Sequence, residues 1–278
     1  MSSSTPSPIP QETSASGRKV TYLSTLEAYD KWASVYDSDG NVLQAIDDEE
    51  VVRLLPQVLS LLPTDLNRPP KILDLGCGTG RNTLKLLGIP GAVIYGLDLS
   101  PKMLQIAEDR CTTAWNTLPP DQRAASLTFR THDVLDKNHT VTESLPAGPI
   151  AADVVISTLV VEHVPLADFF AEVDGLLAAA PSGVLLVTNM HADMGSRSQA
   201  GFNDPATGEK IRPVSYNHSV EDLVEAARAA GYELVEGSAV ERGVDEEMAR
   251  RLGPRAGKWV GVRTWMGGIF RRRVGREV

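Results

Sequence analysis

Residues 71–83 read Lys71-Ile72-Leu73-Asp74-Leu75-Gly76-Cys77-Gly78-Thr79-Gly80-Arg81-Asn82-Thr83, a short apolar run that enters three glycines at alternate positions. The run 72–75 suits a strand covered on both faces. Glycines at its end let the backbone turn sharply and approach a ligand more closely than any Cβ permits. The stretch therefore reads as a buried strand followed by a cofactor loop.

Two cofactors compete for that loop. A dinucleotide fingerprint has the spacing G-x-G-x-x-G, whereas this chain has G-x-G-x-G with Arg81 next. Asp98 ends a second strand-like run, 92–97, near the ~20-residue interval at which a carboxylate accepts ribose hydroxyls. Asp74 adds a carboxylate inside the first strand's end, which would repel a pyrophosphate but suits an ammonium. That combination favours S-adenosylmethionine over NAD.

Taken together, these residues resemble the class I S-adenosylmethionine-dependent methyltransferases, whose first motif is similar to the stretch from Asp74 to Gly80. Gly96-Leu97-Asp98-Leu99-Ser100-Pro101-Lys102-Met103 resembles the family's second strand end and following helix. Arg130-Thr131-His132-Asp133-Val134 resembles its adenine-contacting corner, and Ala152-Asp153-Val154-Val155-Ile156-Ser157 its fourth strand. The resemblance spans residues 71–190 in the family's order. It implies an α/β, Rossmann-like fold with a seven-stranded, mostly parallel sheet in the order 3-2-1-4-5-7-6, helices on both faces and an N-terminal helical lid. It also implies that Asp74, Gly76, Gly78, Gly80, Asp98, Leu99, Met103, Asp133, Val134 and Ser157 hold S-adenosylmethionine and release S-adenosylhomocysteine.

The composition agrees with an enzyme domain. An apolar fraction of 42% permits a full core, and no apolar run approaches the ~18 residues of a membrane span. A net charge of −9 opposes a nucleic-acid partner, which needs a basic footprint, and leaves a small-molecule substrate as the expectation. The first residues carry neither the basic nor the apolar region of a signal peptide, so a cytoplasmic monomer is expected. Cys77 and Cys111 lie in no C-x-x-C pair and read as packing residues.

Residues 1–18 are rich in Ser, Thr and Pro and are expected to be a disordered tail, with a methyltransferase domain over 19–278 made of a helical cap, 19–65, and a core, 66–278. Ser24 and Glu27 form a capping box that opens a helical stretch to Asp37. Tyr29, Trp32 and Tyr36 recur on one face of it, in a chain only 5% aromatic. An amphipathic helix docked on the core would show the same spacing. The family resemblance adds a lid over the cofactor, which places these three rings among the cofactor-binding candidates.

A second helix is expected over 47–62, interrupted at Pro56, then strands over 127–131, 154–157, 184–188, 232–240 and 259–270. Ser100 with Pro101, and Ser219 with Asp222, mark two further helix starts.

Ligands of such sheets sit at the carboxyl ends of the strands, so the chemistry belongs to the loops there. The residues after strand four, Ser157-Thr158-Leu159-Val160, lack the Asn-Pro-Pro-Tyr type tetrapeptide of amide and nucleobase methyltransferases. Ser157 and Asn189 stand where metal-dependent catechol enzymes place carboxylates, and no metal site is read. His163, after Glu162, is the first candidate for a general base. His191 and the loop Tyr216-Asn217-His218 are further candidates. The run from Gly253 to Arg272 and the Tyr-Asn-His loop are similar to fungal small-molecule methyltransferases, and the whole chain to the gliotoxin-type thiol methyltransferases. That likeness implies a thiol acceptor; a hydroxyl or amine acceptor, an NAD-dependent oxidoreductase and a non-catalytic cofactor-binding protein are the alternatives.

Overall fold

A computed structural model of the chain describes residues 20–64, 66–136, 150–179 and 183–273. The Ser/Pro-rich tail lies outside the described residues. The central sheet contains β2 (Lys71–Leu75), β3 (Val93–Asp98), β4 (Ser126–Thr131), β5 (Val154–Thr158), β6 (Val184–Met190), β10 (Val240–Gly243) and β11 (Arg263–Arg272), in the order β10-β11-β6-β5-β2-β3-β4. Strands β4, β3, β2, β5 and β6 run parallel and β11 is antiparallel to β6. This is the expected 3-2-1-4-5-7-6 arrangement. β2, β5 and β6 are apolar at nearly every position because helices cover both faces.

Two apolar cores flank the sheet. α2 (Val42–Ser60), the short α3 (Thr83–Leu86) and α4 (Pro101–Thr117) contribute to one, whereas α5 (Leu166–Leu176) and α7 (Val220–Ala229) contribute to the other. The caps read from sequence are present: Ser100 Oγ accepts from Met103 N at 3.1 Å, and Ser219 and Asp222 form a full capping box. No helix of the described residues is long and apolar enough to cross a membrane.

The structure corrects four sequence expectations. α2 begins at Val42, not Asp47, and runs through Pro56 without a break; the Val52 carbonyl, which loses its helical N–H donor there, belongs to an exposed residue and water can donate to it instead. The aromatic helix ends at Trp32 as α1 (Thr25–Trp32) and continues only as a 3₁₀ turn, Ala33–Val35. The sixth strand is two pieces, β9 (Tyr232–Leu234) and β10, both on β11, because Gly237 turns the chain between them at φ +73°. The last strand starts at Arg263, since residues 254–259 form a 3₁₀ helix and Gly261 turns at φ +78°.

A second, small sheet has no counterpart in the expectations. β1 (Val20–Tyr22) runs parallel to β8 (Lys210–Arg212), which pairs with β7 (Phe202–Asn203). It ties the N-terminal segment to the excursion between β6 and α7.

Candidate active site

The glycine loop after β2 takes its shape from backbone bonds. Gly76 N and Cys77 N both donate to the Leu97 carbonyl, at 2.7 and 2.9 Å, and Gly78 N donates to Asp98 Oδ2 at 2.8 Å. A Cβ on Gly76, at φ +76°, would lie 2.2 Å from Val160 Cγ2, so nothing larger fits. A Cβ on Gly78 would meet open space, but φ is +54° and the residue faces the cleft. Gly80 serves packing instead: its Cβ would strike Cys111 Sγ and Ala107 on α4.

A cleft of about 740 Å³, including its mouth, lies above this loop, within the ~300–1,000 Å³ range of small-molecule sites. Gly76, Gly78, Asp98, Leu99, Asp133, Val134, Tyr29, Tyr36 and His163 line it. Burial pushes the Asp98 carboxyl up to about 6, against the pull of N–H donors from Ser100 and Gly78. Each oxygen keeps lone-pair capacity beyond its one backbone bond.

Asp74, Met103, Ser157, Gly80 and Trp32 do not line this cleft. Asp74 is fully buried beneath the loop, where Thr83 Oγ1 donates to its Oδ2 at 2.6 Å. Its Oδ1 has no partner among the described residues, and burial raises this carboxyl also to about 6. Ser157 Oγ donates to the Leu75 carbonyl, and Met103 packs with Trp32 under α1. Cys77 and Cys111 are buried, which pushes both thiols up, Cys111 to about 12, so both stay protonated packing groups.

A second cavity of about 750 Å³ lies on the other side of Tyr29, Tyr36 and Leu159, which line both. Its wall includes Trp32, Glu162, Met190, Met194, Lys210, Arg255 and Lys258. Leu159 is held at φ +58°, a conformation costly for a branched side chain and of the kind found at functional sites.

At this partition, Tyr29 Oη and His163 Nε2 are 2.7 Å apart. His163 Nδ1 lies 2.7 Å from the Val214 carbonyl, which can only accept, so Nδ1 carries the proton and Nε2 of the neutral ring accepts from Tyr29. A Glu162 carboxylate oxygen sits 3.5 Å from Nε2, and Glu162 Oε2 is buried without a partner among the described residues. Desolvation of this half-buried tyrosine raises its hydroxyl well above the ordinary range and keeps it neutral.

Among the described residues the other three histidines serve the scaffold. His132 pairs with Glu172 at 2.9 Å, although its residue borders the cleft. His191 caps α6 (Ala192–Gly195) through Nδ1 and meets Glu241 at 2.6 Å. His218 is buried against the Val164 carbonyl, and Tyr216 N donates to the Glu162 carbonyl. Sequence reading missed Leu159's strained backbone and the second cavity's wall beyond the aromatic stripe, such as Met194, Lys210 and Arg255, which are scattered along the chain without a motif.

A doubly wound sheet with a glycine loop, a carboxylate ending the next strand and a cleft at the carboxyl ends defines a nucleotide-cofactor-binding α/β enzyme. The family model described as a methyltransferase domain matches residues 47–237. An uncharacterized methyltransferase of Emericella nidulans is 46% identical over 90% of this chain and 92% of its own length. The chain belongs to this methyltransferase family and is a S-adenosylmethionine-dependent methyltransferase. Magnesium protoporphyrin IX methyltransferase of Synechocystis, solved with S-adenosylhomocysteine, shares the fold at TM-score 0.53 and 18% identity, over 89% of this chain and 95% of that one. The [4+2]-cyclase SpnF shares it at TM-score 0.54 and 20% identity, over 93% and 99%. The residues present fit the cofactor: the glycine cradle admits close approach, Asp98 has unused acceptor capacity, and Asp74 Oδ1 is an unpaired buried acceptor.

Proposed function

We propose that the chain methylates a thiol of a small molecule, a fungal metabolite of the gliotoxin type, with His163 taking the acceptor's proton through Tyr29. The observation that carries this is the 2.7 Å contact between Tyr29 Oη and His163 Nε2 at the wall shared by the two cavities. In this reading the cleft beside Gly76 and Gly78 holds the cofactor and the Glu162 cavity holds the acceptor. Asp98 accepts from the ribose, Asp133 and Val134 border the adenine, and Asp74 supplies the negative charge opposite the methionyl ammonium.

S-adenosylmethionine supplies a methyl carbon already activated by a positive sulfur, so alignment of the nucleophile carries most of the acceleration. Tyr29, Tyr36 and Leu159 fix that alignment from the shared wall. The thiol proton passes to the Tyr29 oxygen as the tyrosine's own proton passes to His163 Nε2. The resulting imidazolium donates to the Val214 carbonyl through Nδ1 and faces the Glu162 carboxylate. A thiol of ordinary pKa about 8.5 needs only this modest help to become a thiolate.

A second reading has Glu162 take the proton directly, because the residue lines the acceptor cavity and its Oε2 has no partner among the described residues. Tyr29→Phe separates the two: it removes the relay and leaves Glu162 in place. A loss of activity in Tyr29→Phe at pH 6.5 with Glu162→Gln near wild type supports the relay; the reverse pattern supports Glu162.

Asp98→Ala is expected to weaken S-adenosylhomocysteine binding by about 1.5–3 kcal/mol, as for a hydrogen bond to a charged group. Only the ionised carboxylate can accept both hydroxyls, and its pKa in the free protein is about 6. Affinity should therefore rise as pH increases through 6 and level off above it. Calorimetry from pH 5 to 8 checks this, with Asp98→Asn reducing the slope; an unchanged slope would contradict the assignment.

The proposed lid is the segment around α1, whose Ala28, Trp32 and Ala33 form a satellite cluster with Met103, Phe202 and Ile211 apart from the two main cores. Deleting residues 1–38 is expected to leave a folded sheet, by circular dichroism, that retains cofactor poorly. Complete loss of folding would make the stripe part of the core.

A further inference from the structure

The acceptor cavity carries a charge pattern unlike the rest of the chain. The whole protein has a net charge of −9, yet Lys210, Arg255 and Lys258 converge on this one cavity. Lys210 comes from β8, and the other two from the 3₁₀ turn Pro254–Trp259. Two separate excursions from the core therefore bring the cations together. Among the described residues none of the three has a carboxylate within ion-pair distance. Lys210 Nζ donates to the Gly201 carbonyl at 2.8 Å, and Lys258 Nζ sits 4.7 Å from the Trp259 ring centre.

The cavity's own carboxylates offset the group only in part. Glu162 is buried beside His163, and Asp39 Oδ2 accepts from Trp32 Nε1 at 3.0 Å while its charge acts on Arg255 and Lys210 from beyond ion-pair distance. Lys210 shows the strain. It is half-buried, and burial first, then Arg212, Arg255 and Lys258, push its ammonium down to about 8, with Asp39 opposing. Arg255 and Lys258 are exposed and solvated, so the unfavourable element is the half-buried Lys210 held beside them, which a ligand anion entering the cavity would offset more fully than Asp39 alone.

We propose that Lys210, Arg255 and Lys258 form an anion subsite and that the acceptor carries a carboxylate or phosphate group beside its methyl-accepting atom. This rests on the reading of the cavity as the acceptor site. The cations would hold the anion while the remainder of the molecule lies along Met190, Met194 and Leu159 toward Tyr29. The arrangement selects acceptors by charge and sets their orientation before any chemistry.

The test uses the full chain saturated with S-adenosylhomocysteine and three probes: 4-mercaptobenzoate, its methyl ester and 4-mercaptophenyl phosphate. Calorimetry should find the carboxylate or the phosphate bound at least about tenfold more tightly than the ester, the scale of a charge-assisted bond. Which of the two anions wins identifies the group. Lys210→Met and Lys258→Met should each shrink that ratio to about threefold or less while S-adenosylhomocysteine affinity stays unchanged. Equal binding of both anions and the ester to the wild-type chain overturns the subsite, as does a preference that survives both substitutions. Failure of the methyl-transfer reading is separable: it would appear as no binding of S-adenosylhomocysteine, whereas the anion preference can be measured on the free chain.

Discussion

His163→Ala is expected to lower kcat/KM for a thiol acceptor by about 10²–10⁴ at pH 6.5, the range for losing a general base. The loss should shrink at pH 9, where thiols with pKa near 8.5 are largely ionised unaided. Tyr29→Phe should follow the same pattern, because the phenol stands between the acceptor cavity and the ring nitrogen. A merely positioning role predicts something else, since misplacement of reacting atoms does not depend on protonation. Initial rates at the two pH values decide it, and equal losses at both would reject the relay.

The second large effect concerns stability. Asp47 is fully buried on α2 and accepts from Arg81 Nη2 at 2.7 Å, Thr188 Oγ1 at 2.5 Å, Trp265 Nε1 at 2.9 Å and Asn82 Nδ2 at 3.2 Å. One carboxylate thereby joins α2, the end of the glycine loop, β6 and β11. Asp47→Ala leaves the Arg81 guanidinium, whose side chain is only 14% exposed, with just Asp48 at 2.9 Å and the Gln44 carbonyl, and removes the acceptor of Thr188 Oγ1 and Trp265 Nε1. Breaking a buried pair from one side costs about 3–5 kcal/mol, a large share of a total stability of ~5–15 kcal/mol. Urea denaturation should show that shift, with Asp47→Asn milder because its amide oxygen still accepts. A change under about 1 kcal/mol would mean the network relaxes around the loss.

Asp47 also illustrates what the sequence could convey. The glycine loop and Asp98 were legible because their signal is local: glycines at alternate positions and a carboxylate at the next strand's end lie within 30 residues. The parallel sheet followed from buried apolar runs, and the caps at Ser24, Ser100 and Ser219 from patterns of two to four residues. Arg81 was visible only as a departure from a dinucleotide fingerprint, while its partner on α2 lies 34 residues upstream. Tyr29 and His163 are 134 residues apart, so their contact leaves no trace in spacing. His163 stood out by position after the fourth strand, but the same argument also raised His191 and His218, which burial and fixed partners assign to the scaffold.

Other elements escaped for physical reasons. Strands of two or three residues, such as β7 and β8, are too short for a period-2 pattern. The single strand expected over 232–240 was split by Gly237, whose positive φ is a property of the turn and not of its neighbours. Pro56 suggested an interruption that exposure to solvent makes unnecessary. The anion subsite draws Lys210 from a surface excursion and Lys258 from a 3₁₀ turn, and each alone reads as an ordinary exposed lysine.

The most direct measurement is mass-spectrometric detection of methyl transfer from S-adenosylmethionine to a panel of thiol, hydroxyl and amine acceptors, run side by side with wild type and Tyr29→Phe. Thiols should gain one methyl group with the wild-type chain, and Tyr29→Phe should lose most of that activity at pH 6.5. Methylation of hydroxyls or amines but of no thiol, or undiminished thiol methylation by Tyr29→Phe, would contradict it.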